Sequence, residues 1–335
     1  MRGTYRIAAV IAALFGLAAL PRLASAQEKG QEIGQDSVIS VDVEVVNILA
    51  TVREKNGGLI SDLAKNDFDL EIDGKPQEIR YFARQTDLPL TIGLLVDTSV
   101  SQQNIIDIER SASHQFFSSI LRNKKDLAFL ISFDINSELL QDLTDSSKLL
   151  AKGLEALEVQ GGGGGIHPGP VPTSGRSPGT VLFDAVYLAC NEMLRPQVGR
   201  KAIVIISDGN DWGSKLDLKD AIEAAHRSDV VIYAIRYFDQ RFYYQSGALG
   251  GGGGAGTLKK LSRETGGNMF EVSRKRPLNE IFDQIQAEMR NQYSIGFTPN
   301  HQPGDRDFHK IELKTKSKRH EVQARSGYYA NSLGR

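Results

Sequence analysis

The chain has 335 residues, of which 40% are apolar and 24% are charged, a composition typical of a globular protein with a hydrophobic core. Its formal net charge is −1, and removal of a leader with three arginines and no acidic residue makes this about −4. Such a balance argues against nucleic-acid binding through bulk electrostatics. The single cysteine, Cys190, excludes an intrachain disulfide.

Residues 1–26 have the pattern of a secretory signal peptide. Arg2 and Arg6 give a basic start, residues 7–20 are an apolar run, and residues 24–26 are a small-residue cleavage pattern. A stable membrane span needs ~20 apolar residues, so the run is short for one. We predict an exported protein, periplasmic or extracellular, with no stable membrane span after cleavage; an uncleaved anchor is the alternative.

The segment 36–90 reads as β-structure. Residues 38–52 are rich in β-branched side chains that roughly alternate with polar ones, as in half-buried strands. Residues 67–74 and 75–83 are predicted as two short strands joined at Asp73-Gly74, a strong hairpin signal. No convincing helix precedes residue 90.

From residue 91 to residue 290, helical patterns alternate with strands that are apolar on both faces. This alternation predicts an α/β fold with a doubly wound, mostly parallel sheet covered on each side. Ligands of such sheets bind at the carboxyl ends of the strands. The predicted strands are 91–96, 127–133, 201–207, 229–237 and 268–273, and the predicted helices are 102–121, 146–157, 180–194, 217–227, 257–265 and 277–290.

After residue 291 the pattern returns to short strands, at 293–299, 309–315 and 320–330. Neither this segment, 291–330, nor 36–90 has enough residues to bury a core alone. We therefore predict that the two join as one small β-sandwich, with the α/β domain of residues 91–290 inserted between them. Together they approach the ~100 residues of an immunoglobulin-like sandwich.

Five oxygen-bearing side chains are predicted at the carboxyl edge of the α/β sheet. Asp97, Ser99 and Ser101 follow its first strand, Asp208 ends another apolar strand, and Thr180 opens the helix between them. If the two strands are neighbours, these side chains meet. Two carboxylates and three hydroxyls form a hard-oxygen set that suits Mg²⁺, Mn²⁺ or Ca²⁺. An ion held by so few charges keeps water, which a carboxylate from outside can replace.

Residues 97–101, DTSVS, resemble the Asp-x-Ser-x-Ser motif of von Willebrand factor type A (VWA) domains with their metal-ion-dependent adhesion site (MIDAS). Thr180 and Asp208 are similar to the threonine and aspartate that complete that site. The resemblance covers about residues 88–290, and the flanks are similar to VWFA-related proteins frequent in Acidobacteria. It implies a Rossmann-like VWA domain, magnesium binding and a role in cell adhesion or other protein–protein interaction. Val100 stands where glycine is common, and its side chain is expected to narrow access to the site.

The predicted function is a secreted or periplasmic, non-enzymatic module whose metal engages an acidic side chain of a partner protein. One alternative is an inert structural envelope protein with a metal-free VWA fold, in which the same residues serve only as helix caps and turns. The other is a Mg²⁺-dependent, phosphatase-like hydrolase. That mechanism needs a general acid two residues after the nucleophile, and Ser99 there cannot act as one near neutral pH.

Several other residues admit two interpretations. Cys190 is expected to be a buried apolar residue rather than a reactive thiol. Trp212 is expected to pack against the protein, and the alternative is an exposed aromatic anchor for a partner. The glycine runs 161–165 and 250–254 lack the Lys-Ser/Thr of a phosphate loop and are interpreted as flexible insertions. The six histidines show no zinc-binding spacing.

Overall fold

A computed structural model describes residues 45–84, 88–122, 124–159, 179–238, 254–300 and 305–330. The predicted signal peptide, the first glycine run and all but the last residue of the second lie outside the described residues. In the described ranges, no helix has the length and apolar character needed to cross a membrane. The strands are β1 Val46–Glu54, β2 Leu59–Ile60, β3 Phe68–Ile72, β4 Lys75–Pro76, β5 Tyr81–Arg84, β6 Leu90–Asp97, β7 Leu127–Phe133, β8 Ser137–Thr144, β9 Arg200–Ser207, β10 Val230–Arg236, β11 Met269–Glu271, β12 Tyr293–Phe297, β13 Phe308–Thr315, β14 His320–Ala324 and β15 Gly327–Tyr329. The helices are α1 Ile106–Ile120, α2 Ser147–Glu155, α3 Leu182–Leu188, α4 Leu218–Arg227, α5 Gly254–Thr265 and α6 Leu278–Arg290.

A six-stranded sheet with the order β11-β10-β9-β6-β7-β8 forms the α/β region. Its strands pair in parallel except for β7 and β8, which are antiparallel. Every residue of β6 and β9 is buried, as the continuous apolar runs predict. Strand β8 was not predicted, because its residues are mostly only partly buried and an edge strand lacks the apolar run of a central one.

Helices cover both faces of this sheet, so the fold is doubly wound. One face packs against α1, α2 and α6, where the rings of Phe116 and Phe282 stack 4.3 Å apart. The other face packs against α3, α4 and α5 through small and aliphatic side chains such as Leu182, Ala224 and Leu258. Burial on both faces explains why the strands are apolar throughout rather than alternating.

Three predicted helix starts differ from the structure by more than one residue. The helix predicted from residue 257 already begins at Gly254. The helix predicted from residue 102 is a short 3₁₀ turn, Val100–Gln102, followed by α1 from Ile106. Helical spacing places Ile108 on one side with Ala112 and Phe116, yet Ile108 is 51% exposed and Glu109 is fully buried. The buried residues Glu109, Ala112, Phe116 and Ile120 are three or four positions apart, so they form one face of α1, and Ile108 lies off that face. The helix predicted from Thr180 starts at Leu182 and continues as a π-helix over Ala189–Leu194.

Two small antiparallel sheets combine strands from before and after the α/β region. One has the order β14-β1-β12-β5, with β2 beside β1, and the other the order β15-β13-β3-β4. Pairing of β1 with β12 and β14, and of β3 with β13, joins residues before 90 to residues after 291. Side chains of both sheets share one buried cluster. Closure as an immunoglobulin-like sandwich, and the bounds 36–90, 91–290 and 291–330, stay predictions.

The Asp73-Gly74 turn forms as the hairpin signal predicts. Both residues have positive φ, 51° and 75°, and the strands on either side pair at Ile72 and Lys75. The prediction of one strand over 75–83 is wrong, because β4 and β5 belong to different sheets. The prediction of one strand over 320–330 is wrong in the same way, since it divides into β14 and β15.

A buried ion pair links the first small sheet to the α/β region. Arg53 of β1 contacts the carboxylate of Glu288 on α6, and the side chain of Glu288 is fully buried. Burial raises the pKa of Glu288 to about 7, although the Arg53 cation acts in the opposite direction. Each side chain therefore offsets the desolvation cost of the other's charge.

Candidate metal centre

The two predicted aspartates end neighbouring strands. Strands β6 and β9 are parallel and paired in register, with Val96 opposite Ile206 near their carboxyl ends. Asp97 is the last residue of β6, and Asp208 directly follows β9. Both side chains are buried. The strand order, which the sequence left open, therefore brings the two carboxylates to one edge.

Asp97 is fixed by hydrogen bonds to both carboxylate oxygens. The backbone N–H of Ser99 donates to Oδ1 at 3.0 Å, and the hydroxyl of Ser207 donates to Oδ2 at 2.6 Å. Ser207 in turn accepts from the N–H of Gly209 at 2.9 Å. Sequence reasoning missed Ser207. Ser207 could have been found, because a hydroxyl at the buried end of an apolar strand needs a hydrogen-bond partner, and Asp97 was already predicted at that edge.

The electrostatics of the pair favour a cation. Burial is the main cause that raises the pKa of Asp97 to about 7, and the carboxylate of Asp208 is the second. Hydrogen bonds from Ser207 and Ser99 oppose this rise. Two like charges that lie close together in a buried place repel each other, and a divalent ion between them would remove that cost.

Two of the predicted hydroxyls lie together beside Asp97. The Oγ atoms of Ser99 and Ser101 are 3.0 Å apart, in the turn between β6 and α1. Ser101 is buried and also accepts from Nε2 of Gln102 at 3.2 Å. The alternate spacing thus places both oxygens on one side of the turn, as expected.

Thr180 lies at the same edge, held by its backbone. Its N–H donates to the carbonyl of Trp212 at 3.2 Å, and its carbonyl accepts from the N–H of Trp212 at 2.9 Å. The N–H of the next residue, Val181, donates to the carbonyl of Asp134, just past the end of β7. These bonds tie the segment of Thr180 to the ends of two strands before α3 begins.

Trp212 is exposed, and the expectation that it packs against the protein is wrong. Its side chain is 68% accessible to solvent. The backbone of Trp212 pairs with Thr180 and holds this loop in place, so the loop does not need the indole ring to be buried. The only tryptophan of the chain therefore projects beside the candidate site. Cys190, by contrast, is buried as predicted.

Two further buried carboxylates were missed. Glu109 of α1 has no hydrogen-bond partner on either carboxylate oxygen within the described part of the chain. Burial, and secondarily the charge of Asp97, raises its pKa well above the usual range. No sequence signal marks Glu109, because an acid on a helix normally faces solvent. Asp134, buried just past β7, repeats the strand-then-aspartate pattern of Asp97 and Asp208 and could have been found.

The donor chemistry fits a hard divalent cation. Among the residues described, no three His, Cys, Asp or Glu side chains are grouped so as to hold a metal ion. The predicted set has only two carboxylates, Asp97 and Asp208, and its other members are hydroxyls. Such a set suits an ion that keeps several waters, such as Mg²⁺, better than zinc.

No protein-family model matches the sequence, and no curated protein matches it. Solved structures that resemble the chain include VWA proteins. One is a von Willebrand factor type A protein from Catenulispora acidiphila, with 11% identity, 81% of this chain and 74% of that chain covered, and a TM-score of 0.46. Proximal thread matrix protein 1 from the mussel byssus, with a zinc-occupied MIDAS motif, has 11% identity, coverage of 66% and 50%, and a TM-score of 0.47.

A third similar structure is the conserved hypothetical protein BatB from Bacteroides thetaiotaomicron. It has 17% identity and a TM-score of 0.41, and 61% of this chain and 97% of that chain are covered. At such identities and TM-scores these likenesses establish neither a family nor a function for this chain. Its function is therefore inferred from its own residues.

Proposed function

We propose that this chain is an exported, non-enzymatic protein-binding module of the VWA type. Asp97, Ser99, Ser101, Thr180 and Asp208 would hold one Mg²⁺, Mn²⁺ or Ca²⁺ ion at a metal-ion-dependent adhesion site. The observation that carries the proposal is the pair of buried carboxylates at the ends of β6 and β9, beside two hydroxyls 3.0 Å apart.

The chain's own residues would orient the ligands. Ser207 and the N–H of Ser99 fix the plane of the Asp97 carboxylate, and the Ser99–Ser101 contact keeps both hydroxyls on its side. A bound divalent ion would supply positive charge with open coordination positions. A partner's Asp or Glu could occupy one of these, which makes recognition depend on the metal.

Exposed Trp212 supports a protein partner. Aromatic side chains are enriched in the cores of protein–protein interfaces and are frequent hot spots. The backbone of Trp212 pairs with that of Thr180, one of the proposed metal ligands, and the ring is exposed. An approaching carboxylate would therefore reach the metal while its neighbours cover the indole.

Metal binding is tested by titration with Mn²⁺, followed by the electron paramagnetic resonance of the free ion and by the emission of Trp212. We expect one saturable site per chain, lost in Asp208→Asn and retained in Asp283→Asn, an exposed acid of α6. The chain has no second tryptophan, so the emission reports this loop alone. Absence of saturable binding in the wild type would favour an inert structural role.

Partner binding is tested in an envelope extract with immobilised protein. A specific partner is expected to be retained by the wild type in Mg²⁺, released by EDTA, and not retained by Asp208→Asn. Measurable hydrolysis of an aryl phosphate that disappears in Asp97→Asn would contradict the non-enzymatic part. Export predicts that the mature protein begins at Gln27, which N-terminal sequencing checks.

A further inference from the structure

A cavity of about 280 Å³ lies at the opposite end of the six-stranded sheet from Asp97 and Asp208. Residues that open or precede β9 and β10 line it on one side, and Asn47 and Leu49 of β1 line it on another. Its volume is near the lower end of the roughly 300–1,000 Å³ typical of small-molecule pockets. The cavity is separate from the proposed metal centre and is not explained by it.

The wall of this cavity carries more positive than negative charge. Arg200, Lys201 and Arg325 line it, and Asp229 is the only acid among the described residues that do. His226 also lines it, but burial lowers its pKa, so it is neutral at pH 7. Three cations face one carboxylate in a recess, which leaves an excess of two positive charges there.

The two arginines already have protein partners for part of their donors. Arg200, 4% exposed, donates from its terminal nitrogens to backbone carbonyls, and Arg325, 8% exposed, pairs with Asp229 and a carbonyl. The Nε atoms of both arginines are buried and have no hydrogen-bond partner in the described ranges. Each guanidinium is therefore held by two hydrogen bonds, and its buried Nε–H is an unused donor.

Lys201 differs from the two arginines because it has no direct protein partner in the described ranges. It is 8% exposed at the start of β9, a central strand, and within the described residues its ammonium has no hydrogen bond or ion pair. Asp229 attracts it electrostatically, but burial is the stronger effect and lowers the pKa of Lys201. Burial of most of this side chain disfavours its positive charge, and an anion in the adjoining cavity would offset that cost.

We propose that this cavity binds a small oxyanion with two negative charges, inorganic phosphate or the phosphate group of a monoester, with Lys201 as its principal charge partner. Arg200 and Arg325 also line the cavity and add positive charge to its wall. A doubly charged anion matches the excess of two positive charges. The space left over accommodates the remainder of a small monoester.

The test is isothermal titration calorimetry with sodium phosphate at pH 7.5, at constant ionic strength in chloride, in buffer freed of divalent metals by a chelating resin. We expect one site in the wild type and binding at least about tenfold weaker in Lys201→Met. The control Lys219→Met, which changes an exposed lysine of α4, is expected to bind as the wild type does. Glucose 6-phosphate in place of phosphate tests the monoester arm, and binding of either form supports the proposal.

Thermal unfolding gives a second readout with a characteristic sign. Phosphate is expected to raise the Tm of the wild type and not that of Lys201→Met. Without phosphate, Lys201→Met is expected to be at least as stable as the wild type, because methionine keeps the apolar stem and removes the unpaired charge. If that variant does not fold, Lys201→Gln replaces it in both the calorimetry and the thermal unfolding.

Three results would overturn the proposal. The first is a wild type that shows neither heat nor a Tm shift with phosphate relative to chloride. The second is a Lys201→Met variant that binds phosphate as tightly as the wild type. The third is tighter binding of malonate than of phosphate, which would assign the cavity to dicarboxylates.

Discussion

Replacement of Asp97 with asparagine is expected to stabilise the metal-free protein at pH 8. The raised pKa of Asp97, about 7 in place of 3.8, corresponds to a cost of about 4 kcal/mol for its ionised form. Asparagine removes the charge but keeps only one acceptor oxygen, so a hydrogen bond from Ser207 or Ser99 is lost, at a cost of about 1–2 kcal/mol. The expected net gain in the free energy of unfolding is therefore about 2 kcal/mol.

The size of this stabilisation depends on pH. Between pH 4 and pH 7 the folded wild type binds more protons at Asp97 than the unfolded chain does, so its stability falls as pH rises through this window. Asparagine does not titrate. The advantage of Asp97→Asn is thus expected to be absent at pH 4 and complete at pH 8. Glu109 acts in the same direction, because burial and, secondarily, the charge of Asp97 raise its pKa.

Urea denaturation in EDTA at pH 4, 6 and 8, followed by circular dichroism, measures the difference. The control is Asp283→Asn, an exposed substitution expected to change stability by less than about 0.5 kcal/mol. Saturating Mg²⁺ at pH 8 should stabilise the wild type and reduce or reverse the advantage of Asp97→Asn. A variant no more stable than the wild type at pH 8, or equally favoured at pH 4, would refute the account of repelling, desolvated carboxylates.

Two substitutions and one labelling experiment test the surrounding structure. Gly209→Ala is expected to cost more than about 2 kcal/mol in urea denaturation, since φ is 85° there and an added Cβ would lie 2.3 Å from the carbonyl oxygen of Gly254; a neutral result contradicts this packing. Arg53→Met is expected to cost about 3–5 kcal/mol at pH 8 and less at pH 5, where Glu288, with its pKa of about 7, is protonated; an equal loss at both pH values would count against this. Cys190 is buried and its pKa is raised, so a thiol reagent should label it only in urea; rapid native labelling would show an open site.

Local sequence determined the elements of the α/β region. Largely apolar runs produce β6 and β9, because strands covered on both faces need apolar side chains on both. Caps determine where helices begin: Ser146 accepts from the N–H of Leu149 at the start of α2, and Asp217 caps α4. These signals act within a few residues of each other, so they can be read from the chain directly.

Local sequence also located much of the candidate site. In a parallel sheet the carboxyl ends of the strands lie at one edge, so the strand pattern alone makes aspartates that follow two strands candidates to meet. Ser99 and Ser101 follow from their alternate spacing. Only the proximity of Asp97 to Asp208 required the strand order, in which β6 pairs directly with β9.

The tertiary structure alone decided which side chains are buried and what they face. Glu109 is buried while Ile108 is exposed, and Trp212 projects into solvent. Lys201 lines a cavity that is formed partly by β1, a strand more than a hundred residues earlier in the chain. Burial depends on the surface that packs against a residue, and that surface comes from distant segments whose pairing leaves no mark on the local pattern. Identity and spacing therefore specify the elements and their ends, and long-range packing specifies their environment.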